Sequence, residues 1–119
     1  MPSRMPPIDP QCAPELYYIT TKTKDEARLI AKALLQDKLI AGANIFPLDS
    51  LYRWQEKICE ETEFALFMQS TKENFARIEE VVKTLHSYEI PCILSFAVSQ
   101  GSSDFLHWIG ENTKNNDTK

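Results

Sequence analysis

The sequence predicts an α+β fold: four strands in one antiparallel sheet, two main helices on one face, a long β-hairpin and an extra C-terminal helix. Three observations carry this expectation. Four segments are rich in β-branched and aromatic residues, and two amphipathic helical stripes follow the first and third of them. The second and third segments are joined directly by a polar turn. The resulting order is strand, helix, strand, strand, helix, strand. With right-handed crossovers, that order sets both helices on the same side of the sheet.

A chain of 119 residues has the size of one domain, and 43% hydrophobic with 25% charged residues is enough for one core. The formal net charge of −4 offers no basic face for nucleic acid or an anionic membrane. No apolar run reaches the roughly 20 residues needed to cross a bilayer, and the N-terminus has no apolar signal-peptide core. A cytoplasmic protein is therefore expected. Cys12, Cys59 and Cys92 are odd in number and lack CxxC spacing, which indicates neither a disulfide framework nor a structural zinc site.

Residues 1–14 hold five of the seven prolines and too few bulky apolar residues to pack, so a flexible tail is expected there, with Cys12 incidental. Residues 15–21 are aromatic and β-branched and read as the first strand. Thr23 and Glu26 stand at capping-box spacing, and Ala27, Ile30, Ala31, Leu34 and Leu35 form the buried stripe of the helix that follows. Residues 39–48 favour an extended strand in which Gly42 marks a bulge or close packing. Pro47 is expected to bend that strand, with Asp49 and Ser50 prolonging the irregularity before residues 51–54 resume it. Residues 55–62 read as a polar turn and residues 63–68 as the third strand. The two arms make a hairpin long for so small a domain, which must project from the body or pack on a neighbour.

Glu56, Glu60, Glu61 and Glu63 around the turn read as a solvated loop, because no EF-hand spacing is present. Ser70 and Glu73 repeat the capping-box spacing before a helix with Phe75, Ile78, Val82 and Leu85 on one face. Residues 93–98 read as the fourth strand, and Phe105, Trp108 and Ile109 dock the short last helix. The domain is thus expected over residues 15–113, with a disordered polar tail at 114–119.

The segment His86-Ser87-Tyr88-Glu89-Ile90-Pro91-Cys92 concentrates an imidazole, a phenol, a carboxylate and a thiol at a helix-to-strand join. Histidine and thiolate are ligands for softer transition metals, and a carboxylate completes such a set or holds the histidine tautomer. The alternative is that His86 and Tyr88 end a helix, Pro91 forces Ile90 into extended backbone, and Cys92 is an ordinary strand residue. His86 and Cys92 are six residues apart. Extended chain of that length spans about 20 Å, so one ion would need a turn between them or donors from neighbouring subunits.

Four motifs taken together resemble the CutA family of divalent-cation tolerance proteins. They are Ala43-Asn44-Ile45-Phe46-Pro47, Ser50-Leu51-Tyr52-Arg53-Trp54-Gln55-Glu56-Lys57-Ile58, His86-Ser87-Tyr88-Glu89-Ile90-Pro91 and Asp104-Phe105-Leu106-His107-Trp108-Ile109. The resemblance implies a ferredoxin-like βαββαβ protomer, a homotrimer held by extended hairpins, and a link to tolerance of copper and other divalent ions. It also implies an architecture like that of trimeric PII signalling proteins, whose intersubunit clefts bind small ligands. Departures stand at Gly42, where the family commonly has cysteine, and at Ser87, in place of proline. Gln69 and Ser70 stand for a lysine and threonine, and Cys92 for an acidic or amide residue.

Three readings of function follow. In the first, a trimeric metal-responsive protein binds copper or another divalent ion through His86, Glu89 and Cys92. In the second, a non-catalytic module binds a small molecule or protein partner in a cleft lined by Tyr52, Trp54, Tyr88 and Glu89. In the third, Cys92 and His86 act as nucleophile and base. No orienting group or oxyanion hole accompanies that pair, so no enzyme is expected. No organic cofactor is expected either.

Overall fold

Alternation along the first strand already divides the molecule: Tyr17, Ile19 and Thr21 are fully buried on one side of it, while Tyr18 between them is only half-buried. The computed structural model describes residues 7–113, apart from the side chain of Gln11; the expected polar tail at 114–119 and residues 1–6 lie outside the described residues. The elements are β1 (Pro14–Thr21), α1 (Lys24–Gln36), β2 (Gly42–Trp54), β3 (Lys57–Thr71), α2 (Phe75–Leu85), β4 (Ile93–Ala97) and α3 (Ser103–Glu111). The sheet runs β2-β3-β1-β4 with every pair antiparallel, the predicted ferredoxin-like arrangement.

The core lies between α1, α2 and one face of the sheet. Ala27, Ile30, Ala31 and Leu34 of α1 and Ile78 and Val82 of α2 meet Tyr17, Ile19, Leu66 and Met68 from the strands. Each fully buried Leu, Ile or Met contributes about 1.5–3 kcal/mol relative to exposure. Thr23 caps α1 as expected, its hydroxyl accepting the Glu26 N–H at 3.1 Å. The far face carries Phe46, Leu94 and Phe96, all exposed, around an edge-to-face cluster of Tyr18, Phe67 and Phe46.

The hairpin is longer and its turn tighter than the sequence suggests. β2 runs unbroken through Pro47, which pairs in register with Phe64, and Gly42 pairs with Gln69 without a bulge. β2 is an edge strand, where alternate backbone groups face away from the single neighbour and a proline is tolerated. Gly42 instead marks close packing: a Cβ there would lie 2.7 Å from Gln69 Oε1. The polar residues from Lys57 onward belong to β3, and only Gln55 and Glu56 turn, with φ of 51° and 65°. Positive φ at both positions is the signature of a type I′ turn, which Asn-Gly would have announced.

The second capping box does not form. Ser70 and Thr71 remain in β3, and Ser70 Oγ donates to the Leu39 carbonyl at 2.5 Å. A 3-10 turn, Lys72–Asn74, intervenes, and α2 begins only at Phe75. Residues 10–12, read from sequence as part of the proline-rich tail, form another 3-10 turn. Cys12 in that turn donates to Glu73 Oε2 at 3.3 Å, and the Lys72 N–H donates to the Ala13 carbonyl at 2.9 Å.

At the end of α1, Lys38 adopts φ 58°, while Leu39 N–H reaches the Leu34 carbonyl and Lys38 N–H the Leu35 carbonyl. This is the Schellman arrangement with lysine where glycine is favoured. Lys38→Gly and Glu56→Gly should each stabilise the chain by about 1 kcal/mol, by removing the cost of a Cβ in the left-handed region. Urea midpoints of the two variants test this; an unchanged or lower midpoint would refute it.

Candidate functional site

The α2–β4 join is built around two side chains that consume each other's polar neighbours. His86 follows the last turn of α2 in extended conformation, and its ring is fully buried. Nε2 lies 2.7 Å from the Thr20 carbonyl; a carbonyl only accepts, so Nε2 carries the proton. Nδ1 then accepts the Tyr88 N–H at 3.1 Å. Glu26 supplies the second half of the join. Its carboxylate takes the Ser87 N–H at 2.6 Å, the Ser87 hydroxyl at 3.1 Å and the Lys22 N–H at 3.3 Å.

The orientation this imposes sends Tyr88 across to the hairpin. Its hydroxyl donates to Glu63 Oε2 at 2.5 Å, and Glu63 is only 5% exposed although the sequence places it in an acidic loop. Glu61 lies two residues along β3, hence on the same face, beside the Tyr52 phenol. The Tyr52 phenol is pushed up to about 12, by partial desolvation and then by Glu61. Desolvation followed by the Glu63 hydrogen bond and charge raises Tyr88 as well. Desolvation raises the Cys92 thiol too, with Glu63 adding to it, and Tyr18 is raised by desolvation and then by Cys92.

This geometry regroups the residues singled out by sequence. Tyr52 and Tyr88 come together through Glu61 and Glu63; Trp54 stands further toward the turn, paired with Lys57 and partly exposed. Glu89 is exposed. His86, Glu89 and Cys92 do not form a metal set: among the described residues no three His, Cys, Asp or Glu side chains are placed to hold an ion. Both imidazole nitrogens are committed within the chain, and desolvation with the Glu63 charge raises the Cys92 thiol. With Nε2 on Thr20 and Nδ1 on Tyr88, the imidazole has no nitrogen left over to serve as base for Cys92. Sequence reading missed Glu26, which its capping spacing had already explained, and Glu63, whose two-residue separation from Glu61 was the available signal.

A phenol whose folded-state value is raised contributes stability that is complete below its unfolded value, about 10, and is lost as pH rises through the folded one. Stability should therefore fall above about pH 10, and Tyr88→Phe should flatten that alkaline loss. At neutral pH the same variant, by stripping the donor from buried Glu63, should cost about 1–3 kcal/mol. Urea unfolding across this pH range measures both; an alkaline slope identical to wild type would exclude Tyr88 as its source.

Comparison with known proteins agrees with this fold and these motifs. The family profile described as CutA1 divalent ion tolerance protein matches residues 15–112. The divalent-cation tolerance protein CutA of Archaeoglobus fulgidus is 45% identical over 94 residues, covering 79% of this chain and 92% of the relative. The protein of the same name from Thermus thermophilus is 40% identical over 100 residues, covering 83% and 97%. A solved structure of the Archaeoglobus fulgidus protein, there called periplasmic, superposes with a TM-score of 0.83 at 42% identity, covering 85% of this chain and 99% of the other. Matched over most of its length by the family profile, by these relatives and by a solved structure, the chain belongs to the CutA1 divalent ion tolerance protein family.

Proposed function

We propose that this chain is the protomer of a non-catalytic homotrimer that serves divalent-cation tolerance by taking up a small ligand in a cleft between subunits. The cleft is bordered by the hairpin face that carries Tyr52, Trp54 and Tyr88, with Glu89 at its rim. The observation that carries this reading is the uncovered side of the sheet and its projecting hairpin. Beyond the Pro47–Phe64 pair, β2 and β3 pair only with each other, in a molecule measuring 59 × 29 × 23 Å. Leu51 and Ile58 on that ribbon are 67% and 69% exposed, and Phe46, Leu94 and Phe96 lie open on the sheet. Soluble proteins rarely leave so much apolar surface and a long strand edge unpartnered. A head-to-tail contact through such edges closes when it forms a ring, and three copies satisfy it.

Copper remains the metal best matched to the family's role and to the donor types in the sequence. Direct coordination by His86, Glu89 and Cys92 of one chain is not part of this reading, because the imidazole is spent on Thr20 and Tyr88. A cytoplasmic location suits three unpaired cysteines.

Light scattering should give about three times the 13.7 kDa chain mass at micromolar concentration, and Phe96→Asp should reduce it. Copper titration by calorimetry should show equal affinity for wild type and a folded His86→Gln variant. A stable monomer would overturn the assembly, and copper affinity lost specifically in His86→Gln would return the histidine to a metal site.

A further inference from the structure

The α2–β4 join holds a pattern of donors and acceptors that one charge state of His86 satisfies and the other does not. Nε2 donates to the Thr20 carbonyl at 2.7 Å, and Nδ1 accepts the Tyr88 N–H at 3.1 Å. A neutral imidazole has one donor and one acceptor, so the ring is fully used as it stands. An imidazolium has two donors and no acceptor. A proton arriving at Nδ1 would face the Tyr88 N–H donor to donor, on a side chain with no exposed surface for water to stand between them.

A second arrangement is already furnished beside the ring. Glu26 Oε2 lies 3.6 Å from Nδ1, just beyond hydrogen-bond range. That carboxylate is 12% exposed and is held in place by the Ser87 N–H at 2.6 Å, the Ser87 hydroxyl at 3.1 Å and the Lys22 N–H at 3.3 Å. The other elements around His86 offer the proton less. β1 presents the Thr20 carbonyl, which does not titrate, and on α2 the Lys83 ammonium is engaged by Glu79 at 3.1 Å. On the join, Glu89 is exposed, and the Tyr88 ring stands 4.8 Å from the imidazole with its hydroxyl on Glu63 of β3.

We propose that His86 and Glu26 form an acid-operated latch on Tyr88. When the imidazole takes a proton from solvent, Nδ1 leaves the Tyr88 amide for the Glu26 carboxylate, the Ser87–Tyr88 backbone shifts, and the Tyr88 hydroxyl withdraws from Glu63. Glu63 is only 5% exposed, and a buried carboxylate that loses its donor draws in water. The latch is a property of one chain. Its effect on a ligand, weaker uptake in acid, rests on the cleft reading above, in which Tyr88 borders the site.

Histidine charge ordinarily changes between about pH 5 and 8, so NMR of the isotope-labelled full chain over that range, without ligand, is the test. The Tyr88 amide and the Glu63 side-chain carboxyl carbon should shift with the midpoint of the His86 ring nitrogens. Solvent exchange of the Tyr88 amide, corrected for its intrinsic pH dependence, should accelerate at least about tenfold across that midpoint. Tyr88→Phe should uncouple the Glu63 carboxyl while the amide at position 88 still follows the ring. Glu26→Gln removes the charge that receives the imidazolium and should keep the Tyr88 amide protected to a pH lower by about one unit, with the Ile19 and Leu66 amides reporting an intact core. A His86 ring that stays neutral down to pH 5, or a Tyr88 amide indifferent to its titration, would overturn the latch. So would amide protection unchanged in Glu26→Gln. A monomer in light scattering would remove the cleft and leave the latch standing.

Discussion

A four-stranded sheet has two faces, and the two main helices of this chain can cover only one of them. The remaining organisation depends on that inequality. On the covered face, alternation along β1 and β3 delivers Tyr17, Ile19, Leu66 and Met68 to α1 and α2, and non-directional burial does most of the stabilising. On the other face, alternation delivers Tyr18 and Phe67, held by a ring contact, and Glu63, held by the Tyr88 hydroxyl. The same period of two thus builds a core and an uncovered face from interleaved residues of the same strands.

The join after α2 shows how a fold uses groups that look chemically active. The His86 N–H still reaches the Val82 carbonyl, but the Ser87 and Tyr88 N–H groups lie past the last turn of α2 and take side-chain acceptors instead. Glu26 accepts from Ser87, and His86 accepts from Tyr88 while donating to Thr20. An Asn or Gln in place of His86 would not span from β1 to the Tyr88 amide with the same rigid separation of donor and acceptor. The imidazole is a strut between β1 and the join, bonded to the amide of Tyr88, whose hydroxyl reaches Glu63.

The fold was legible because its periodicities are clean: the Thr23 cap, the stripe from Ala27 to Leu34 and the aromatic strand at residues 15–21 each have one interpretation. The hairpin tip was not legible, since Gln55 and Glu56 occupy left-handed backbone without a glycine or asparagine to signal it. The polar residues after them belong to a two-stranded ribbon whose faces both meet solvent in the protomer, so no apolar alternation marked it as strand. The candidate site was half legible. Tyr52 and Tyr88 were found from their motifs, but their partners Glu61 and Glu63 were read as loop charges, because a long-range pair leaves no trace in local spacing. Ser70 stands at capping-box spacing from Glu73, but its hydroxyl goes to the Leu39 carbonyl, which is distant in sequence.

The ribbon from Leu48 to Glu63 carries a thermodynamic consequence. Two strands alone are marginal in water, and in the assembly proposed above the order of the ribbon would draw on contacts outside its own chain. There, association and tip folding become one equilibrium, and dilution then acts as a denaturant. For such an assembly a melting temperature is a property of chain and concentration together. Substitutions at the tip would register as changes in the order of that concentration dependence as much as in the temperature itself.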